Sequence, residues 1–213
     1  MSQDTSGDNK YGGQSPLHSD VLDADPFELF GEWFEQAKEH EINDPDAMAI
    51  ASVAPDGMPS VRMVLLKQWS RDGFVFFTNY DGRKGLELLH SGKAAFVMHW
   101  KSLRRQVRVS GTVSQADSDV SDAYFQSRPR GSQIGAWASI QSRPLERRAD
   151  LAERVRQIEE TYPDKVMRPP HWGGFIIKPQ EIEFWADGAY RLHDRFKFTQ
   201  DDKGIWSPQR LYP

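Results

Sequence analysis

The sequence predicts a mainly β protein of the α+β class, in which an antiparallel sheet closes into a barrel with a few peripheral helices. Segments with alternating apolar and polar residues follow one another and are separated by tight turn signals. Only a few helical segments lie between them, so the regular strand–helix alternation of a parallel sheet is missing. The 213 residues, of which 38% are hydrophobic, are sufficient for one large domain with its own core.

Residues 1–24 differ from the rest of the chain. They are rich in Ser, Asp and Gly and show no hydrophobic periodicity. We expect them to form a flexible N-terminal tail, and the alternative is a segment that becomes ordered over a ligand. Residues 25–213 are then expected to form a single domain.

The first helix is predicted to begin at Asp25-Pro26 and to end at His40. Aspartate is a favourable N-cap, and proline suits the first helical position. Apolar residues then recur at helical spacing and form one stripe. The stripe consists of Phe27, Phe30, Trp33, Phe34 and Ala37.

From Ala47 onward the period of the apolar residues changes to two. A hairpin is predicted from residues 47–54 and 59–67, joined by the turn signal Pro55-Asp56-Gly57. Further strands are predicted at residues 73–78, 94–100, 105–113, 173–185, 191–199 and 205–211. Helices are predicted at residues 83–90, 116–126 and 145–160, with residues 127–144 irregular apart from short helical turns.

The composition excludes several classes of function. The chain has 27 Lys and Arg against 31 Asp and Glu, and a net charge of -4 argues against a general nucleic-acid-binding protein. The absence of cysteine excludes disulfides, thiolate metal sites and a cysteine nucleophile, and the histidines show no metal-ligand spacing, so no metal is expected. No apolar run is long enough to cross a membrane and no secretory signal is recognisable, so we expect a cytoplasmic protein without a membrane partner.

The most informative stretch is Arg191-Leu192-His193-Asp194-Arg195. If it is a strand, Arg191, His193 and Arg195 share one face and lie roughly 6.5–7 Å apart. Three such groups repel one another unless a negative group faces them. The functional interpretation is an anionic ligand, and the alternative is an exposed strand that is neutralised by neighbouring acids.

Two further basic loci lie earlier in the chain. Arg62 and Lys67 are five residues apart, so a straight strand would direct them to opposite faces and toward different groups of a ligand. Arg83 and Lys84 lie at the junction of a strand and a helix, where free backbone N–H groups bind anions. Solvated surface charges are the alternative for both loci.

Other polar residues suggest contacts to a ring and to a second phosphate. Gln106 lies on the polar face of its predicted strand and can both donate to and accept from a heterocycle. Tyr124, Arg128 and Ser132 are spaced by four residues and can form a phosphate clamp. Trp137 is expected to be a core residue. Separate basic loci in an acidic chain favour small phosphorylated ligands over a polymer.

The motifs together resemble the pyridoxine/pyridoxamine 5′-phosphate oxidase family. The resemblance extends from about residue 25 to residue 213. It rests on RMVLLK (62–67), FFTNY and RKG (76–85), RQVRVSG (105–111), YFQSRPRGSQIGAWASIQS (124–142), WGGF (172–175) and EFW with RLHDR (183–195).

The resemblance implies a homodimer of split β-barrels with flavin mononucleotide (FMN) at the subunit interface. The implied reaction oxidises pyridoxamine or pyridoxine 5′-phosphate to pyridoxal 5′-phosphate, with O₂ as the acceptor and H₂O₂ as the second product. The flavin would accept a hydride, while the protein orients and polarises the substrate.

The resemblance also implies residue roles. It assigns FMN binding to Arg62, Met63, Val64, Leu65, Leu66, Lys67, Phe77, Thr78, Arg83, Lys84, Gln106, Gln141, Ser142, Trp185 and Arg195. It assigns the substrate phosphate to Lys67, Tyr124, Arg128 and Ser132. Arg191, Leu192 and His193 are placed at the substrate, with Arg191 and His193 as the catalytic residues.

Three positions depart from the pattern of the family. Gly82 stands where serine is common, and Ala186-Asp187 stands where Gln-Gly is common. The N-terminal segment offers only Lys10-Tyr11 where some members have a lid. Two alternatives remain: a related flavin oxidase that acts on another reduced heterocycle, such as a phenazine precursor, and a non-catalytic protein that binds flavin or pyridoxal phosphate.

Overall fold

The computed structural model describes residue 21 and residues 23–213. The predicted tail therefore lies outside the described residues as far as residue 20. Within the described part of the chain no helix is long and apolar enough to cross a membrane.

Helix α1 (Pro26–His40) begins as predicted. The Asp25 carboxylate accepts hydrogen bonds from the backbone N–H groups of Phe27, at 2.9 Å, and Glu28, at 3.1 Å, which caps the first turn. Four more α-helices follow in the described residues: α2 (Arg83–Ser91), α3 (Ser118–Ser127), α4 (Arg130–Ala138) and α5 (Arg148–Thr161).

Nine strands form one antiparallel sheet in the described residues. They are β1 (Ala47–Val53), β2 (Pro59–Leu65), β3 (Gln68–Ser70), β4 (Gly73–Asn79), β5 (Lys93–Trp100), β6 (Arg105–Gln115), β7 (Trp172–Ala186), β8 (Asp194–Gln200) and β9 (Trp206–Leu211). Their order is β2-β1-β5-β6-β7-β4-β3, and β8 pairs with both β7 and β9. The predicted mainly β, α+β class and the split-barrel type are confirmed.

Strand β7 organises the sheet because it is long enough to pair with three others. It pairs with β6 along one edge. On its other edge its first half pairs with β4 and its second half with β8. The two ends of β7 therefore lie in different structural surroundings.

The apolar face of α1 packs on the sheet and forms the main core. Phe30 is fully buried, and its ring lies 5.0 Å from that of Phe74. Trp33 packs edge-on against Phe184 at 5.3 Å. A second apolar cluster lies beneath α3 and α4 around Phe125 and Trp172, and Trp137 packs against it as a partly buried residue. The apolar periodicity of α1 therefore predicted the buried face correctly.

The structure corrects the prediction for residues 191–193. Ala189–Arg191 form a 3₁₀ turn, and Tyr190 and Arg191 have φ values of 56° and 68°. Strand β8 begins only at Asp194. The prediction that Arg191, His193 and Arg195 share one face of a strand is wrong, because the two-residue alternation of side chains holds only in extended backbone.

Gly188 gives the physical reason for this turn. A Cβ atom at this position would lie 1.9 Å from the carbonyl oxygen of Leu192, so the backbone doubles back on itself where only glycine fits. Two smaller predictions also fail. Residues 130–138 are a regular helix, α4, where irregular structure was expected, and the short strand β3 was not predicted.

Candidate functional site

A cavity of about 320 Å³ opens between β2, β4, α2 and α3. It contains Lys67 and Lys84 from the predicted basic loci, together with Tyr124 and Arg128 of the predicted phosphate clamp. Its lining residues are Met63, Val64, Leu65, Lys67, Phe77, Thr78, Asn79, Lys84, Tyr124, Arg128, Gln141 and Trp172. Leu66, which was also predicted to bind the cofactor, packs in the main core instead of lining this cavity.

Three parallel aromatic rings form one wall of the cavity. The rings of Phe77 and Tyr124 stack at 4.0 Å with an interplanar angle of 18°. The ring of Trp172 lies 5.6 Å from Phe77 and 6.2 Å from Tyr124. Phe77 and Trp172 come from neighbouring strands, β4 and β7, whereas Tyr124 comes from α3.

Arg128 lies against this wall. Its guanidinium carbon is 4.6 Å from the centre of the Trp172 ring, which is a cation–π contact. Its Nη1 atom is buried and has no hydrogen-bond partner within the described residues. Burial lowers the pKa of the guanidinium, but arginine remains charged at neutral pH. A buried charged donor without an acceptor is costly, so this atom indicates an anionic ligand.

Ser132 completes the predicted clamp from a neighbouring cavity of about 270 Å³. That cavity shares Arg128, Gln141 and Trp172 with the first one. Arg128 ends α3 and Ser132 lies in the first turn of α4, so the break between the two helices brings the side chains together. Proline at 129 favours this break, because it disfavours helical backbone at the residue before it.

Lys84 is the most perturbed cation of the site. Its Nζ atom donates to Thr78 Oγ1 at 2.7 Å and to Gln141 Oε1 at 2.8 Å. Burial, reinforced by the nearby charge of Arg62, lowers the pKa of Lys84 to about 8. Lys67 is balanced differently, because its Nζ atom forms an ion pair with Asp46 at 2.7 Å.

Gly82 is what allows Gln141 to reach this position. A Cβ atom at residue 82 would come within 2.5 Å of Gln141 Oε1, so any side chain there would displace the amide from Lys84. Gly82 is also the N-cap of α2 and provides no side-chain cap. The backbone N–H groups at this helix start are therefore left for another acceptor.

Arg62 and Arg83 converge behind the start of α2 on one buried carboxylate, that of Glu87. Arg83 Nε donates to Glu87 Oε1 at 2.8 Å, and Arg62 Nη2 lies 3.2 Å from Glu87 Oε2. Arg83, Glu87, Ser142 and Arg143 help to line an adjoining cavity of about 460 Å³. The prediction missed Glu87, although its position four residues after Arg83 on a helix is a recognisable signal.

A second group of predicted residues lies at the other end of β7. Gln106, Trp185 and Arg195 are direct neighbours in a row across β6, β7 and β8. The ring of His193 lies 4.6 Å from that of Trp185. Arg195 Nε donates to the buried Glu183 at 2.8 Å, and its Nη1 donates to the carbonyl oxygen of Tyr212 at 3.1 Å.

Arg191 and Leu192 lie on the exposed turn that precedes this row. Asp187 lies beneath the turn, where it forms an ion pair with Arg104 and places Oδ1 3.2 Å from His193 Nδ1. Its negative charge is therefore balanced by Arg104, which directly precedes β6. Ala186, the other departure in this segment, is fully buried in the sheet.

The two groups are far apart within one chain. Phe77 of the first group pairs with Gly174 of β7, whereas Trp185 of the second group lies on the same strand. Eleven residues of extended strand separate these positions, which corresponds to about 36 Å along β7. One chain therefore presents two partial sites at opposite ends of its longest strand.

Both groups of residues lie in regions that match the sequence models of known proteins. The sequence model of the family described as pyridoxamine 5′-phosphate oxidase matches residues 34–186. The chain belongs to this family. A second model, described as the pyridoxine 5′-phosphate oxidase C-terminal dimerisation region, matches residues 172–213 and supports a homodimer. Membership of the pyridoxamine 5′-phosphate oxidase family points to a flavin cofactor.

Similar proteins cover nearly the whole chain. A pyridoxine/pyridoxamine 5′-phosphate oxidase from Bartonella quintana is 54% identical over 191 residues, which is 88% of this chain and 92% of its own length. One from Brucella canis is 55% identical over 192 residues, covering 89% of this chain and 95% of its own length.

Two solved structures share the fold. PhzG from Burkholderia lata, in complex with tetrahydrophenazine-1-carboxylic acid, superposes with a TM-score of 0.86 at 27% identity, covering 94% of this chain and all of its own. A pyridoxamine 5′-phosphate oxidase-related, FMN-binding protein from Nostoc punctiforme superposes with a TM-score of 0.72 at 15% identity, covering 89% of this chain and 99% of its own.

The ionised Glu87 carboxylate should make the free energy of unfolding depend on pH in the acidic range. Burial alone would raise the pKa of Glu87, but hydrogen bonds from Ser52, Ser60 and Arg83 lower it from 4.5 to about 2. The stabilisation is therefore complete above pH 4.5 and is lost as the pH falls toward 2. Denaturant unfolding across this range should show a steeper loss of stability for the wild type than for Glu87→Gln. Parallel pH profiles would contradict the assignment.

Proposed function

We propose that the protein oxidises pyridoxamine 5′-phosphate and pyridoxine 5′-phosphate to pyridoxal 5′-phosphate, with FMN as its cofactor and O₂ as the electron acceptor. The observation that carries the proposal is the buried Nη1 atom of Arg128, which lacks a hydrogen-bond partner in the described chain beside a wall of stacked rings. A phosphate on an aromatic ring satisfies both features of this cavity. The names of the relatives at 54% and 55% identity agree with this substrate.

In this proposal the substrate phosphate is bound by Lys67, Tyr124, Arg128 and Ser132. Lys67 and Arg128 provide the positive charge, and the two hydroxyl groups donate hydrogen bonds. Lys67 would exchange its ion pair with Asp46, which is 2.7 Å long, for the phosphate. Lys67 and Arg128 both border the 320 Å³ cavity, so one phosphate group can be shared between them.

The donor set also fits FMN. The uncapped start of α2, Arg83 and Ser142 supply N–H and O–H donors for its phosphate, while aliphatic and aromatic side chains offer contacts for its ring. Bound FMN would take a hydride from the substrate carbon that becomes the aldehyde and pass the electrons to O₂, which yields H₂O₂. The proposed FMN-binding residues are Arg62, Met63, Val64, Leu65, Lys67, Phe77, Thr78, Arg83, Lys84, Gln106, Gln141, Ser142, Trp185 and Arg195.

A complete site requires two copies of the chain. The first group of residues and the row Gln106–Trp185–Arg195 lie at opposite ends of β7. A homodimer can place the first group of one subunit against the second group of its partner, which positions the cofactor at the interface. The match of residues 172–213 to a dimerisation region supports this arrangement.

We assign Arg191 and His193 to the substrate side of this composite site, together with Leu192. Arg191 adopts a φ of 68°, which is a strained backbone conformation for a residue with a side chain. Arg191 is exposed on this turn, where its guanidinium can orient the substrate and stabilise developing charge. His193 is held next to Trp185 and Asp187 and can donate or accept one hydrogen bond.

The similarity to PhzG supports a second candidate function, the oxidation of another reduced heterocycle. The identity to that structure is 27%, about half of the identity to the relatives named as oxidases of vitamin B6 phosphates. Two cations, Lys67 and Arg128, and the hydroxyl groups of Tyr124 and Ser132 also suit the several oxygens of a phosphate better than a single carboxylate. We therefore favour the phosphorylated substrate.

Turnover of the holoenzyme tests the proposal directly. Pyridoxine 5′-phosphate in air should yield pyridoxal 5′-phosphate with an equal amount of H₂O₂. Arg128→Ala should raise the KM by roughly tenfold or more because a charged hydrogen bond to the phosphate is lost. Unphosphorylated pyridoxine is the control, since its turnover should not change with this substitution. If neither pyridoxine 5′-phosphate nor pyridoxamine 5′-phosphate yields the aldehyde, the proposed activity is refuted.

Arg191→Ala should separate catalysis from cofactor binding. The exposed turn contributes to substrate orientation but not to retention of the flavin, so kcat should fall by about a hundredfold or more. The FMN content of the purified variant, measured by absorbance, should equal that of the wild type. Equal losses of kcat and of bound FMN would show that Arg191 acts mainly in cofactor binding.

A mixture of two variants should reveal the shared site. Arg128→Ala removes the first partial site and Arg191→Ala removes the second, so a heterodimer keeps one intact site. Co-expression should give about a quarter of the wild-type kcat/KM at low substrate concentration, because half of randomly formed dimers are mixed. Activity no higher than the average of the two variants alone would indicate that each site is built from a single chain.

A further inference from the structure

Glu87 is a buried carboxylate that contacts both arginines near the start of α2. Its side chain is only 4% exposed. Ser52 Oγ and Ser60 Oγ each donate to Glu87 Oε2 at 2.5 Å. With Arg62 on the same oxygen and Arg83 on Oε1, four donors surround the group.

These contacts connect three elements of the fold. Glu87 lies on α2, Ser52 lies on β1, and Ser60 and Arg62 lie on β2. Arg62 is tied into the same network, since its Nη1 donates to Ser52 Oγ at 2.6 Å and its Nη2 donates to Ser60 Oγ. The carboxylate therefore fixes the first turns of α2 relative to the β1–β2 hairpin.

The contacts also determine which arginine atoms face outward. Arg83 uses Nε for Glu87, whereas its two terminal nitrogens have no hydrogen-bond partner in the part of the chain that the structure describes. The Arg83 side chain is 59% exposed and borders the 460 Å³ cavity. Its fork of donors is thus held in one orientation and remains available to an oxygen anion.

Glu87 also balances a local excess of positive charge. Arg62, Arg83 and Lys84 lie around the start of α2, and the charge of Arg62 contributes to the lowered pKa of Lys84. Since Glu87 stays ionised at neutral pH, it reduces the repulsion among these cations. Without it, the guanidinium groups would separate before a ligand arrived.

We propose that Glu87 is a positioning residue for the phosphate of the cofactor, which it serves by holding Arg62 and Arg83 in their binding orientation. The inference rests on the proposed function, because that proposal assigns the two arginines to FMN. Glu87 itself does not touch the ligand. Support of this kind around a binding site commonly governs affinity without taking part in the chemistry.

Glu87 also has an effect that opposes the binding of a phosphate. The negative charge of Glu87 also repels a phosphate, so its removal would strengthen binding if the arginines kept their places. Orientation should dominate, because both arginines use Glu87 as an anchor and the replacement amide cannot accept from all four donors at once. Weaker binding after neutralisation therefore indicates positioning, and tighter binding indicates simple repulsion.

The experiment compares FMN with riboflavin, which has the same ring system but no phosphate. Apo Glu87→Gln should bind FMN about tenfold more weakly than wild-type apoprotein, as expected for the loss of a buried charged hydrogen bond. Its riboflavin affinity should change by less than about twofold. If Glu87 had only a structural role, Glu87→Gln would lower the affinities for FMN and riboflavin by the same factor.

Glu181→Gln is the matched control. Glu181 forms an ion pair with Lys197 at 2.9 Å on β7 and β8, away from α2, so both affinities should match the wild type. If Glu87→Gln does not fold, Ser60→Ala replaces it, because this variant removes one donor and keeps every charge. Ser60→Ala should lower the affinity for FMN by about threefold and leave the affinity for riboflavin unchanged.

The variant Arg83→Ala distinguishes a failure of the positioning role of Glu87 from a failure of the proposed cofactor site. If it abolishes the preference for FMN over riboflavin while Glu87→Gln keeps or increases that preference, the positioning role is refuted and the proposed function stands. If wild-type apoprotein shows no preference for FMN, or Arg83→Ala leaves the preference intact, the placement of the cofactor phosphate is wrong and the inference fails with it.

Discussion

Cations that bind small anions must lie close together before the ligand arrives, and this protein meets that constraint with carboxylates placed behind them. Glu87 balances Arg62 and Arg83, Asp46 balances Lys67, and Glu183 balances Arg195. Glu87 lies on a helix, Glu183 lies on a strand and Asp46 directly precedes β1. All three are partly or fully buried, so the fold sets the position of each cation.

Lys84 and Arg128 have no carboxylate partner in the described residues, and Arg128 is the more informative of the two. It packs on Trp172 and Phe125, but its buried Nη1 has no acceptor in the described chain. A cation held by aromatic faces instead of a carboxylate keeps its hydrogen-bonding capacity for a ligand. Arg83 is oriented by a carboxylate and keeps its terminal nitrogens for a ligand, whereas Arg128 is held by aromatic faces and keeps a buried donor for one.

Strand β7 gives the molecule its second constraint. Because it pairs with β4 in its first half and with β8 in its second half, it carries one group of functional residues at each end. Strands are stiff, and no loop movement can bring the two ends together. A ligand that contacts both groups would have to lie between two chains, which is why the proposed site requires the dimer.

The sequence by itself determined the class of the fold, the capped first helix and the first hairpin, and it predicted most of the residues that line the candidate cavity. These follow from local rules: the two-residue alternation in β1 and β2, the N-cap at Asp25, and the motifs around Arg62, Lys84 and Arg128. Such local patterns can be predicted from the sequence because each depends on residues that are close in the chain.

Only the tertiary structure decided which residues meet. The prediction of a strand at residues 191–193 failed because the close approach of Gly188 and Leu192 forces a turn there. Glu87 gained its role from Ser52, Ser60 and Arg62, whose elements precede it by 25 residues or more. Contacts between residues that are distant in sequence are fixed by strand register and helix packing, and neither leaves a signature at the positions themselves.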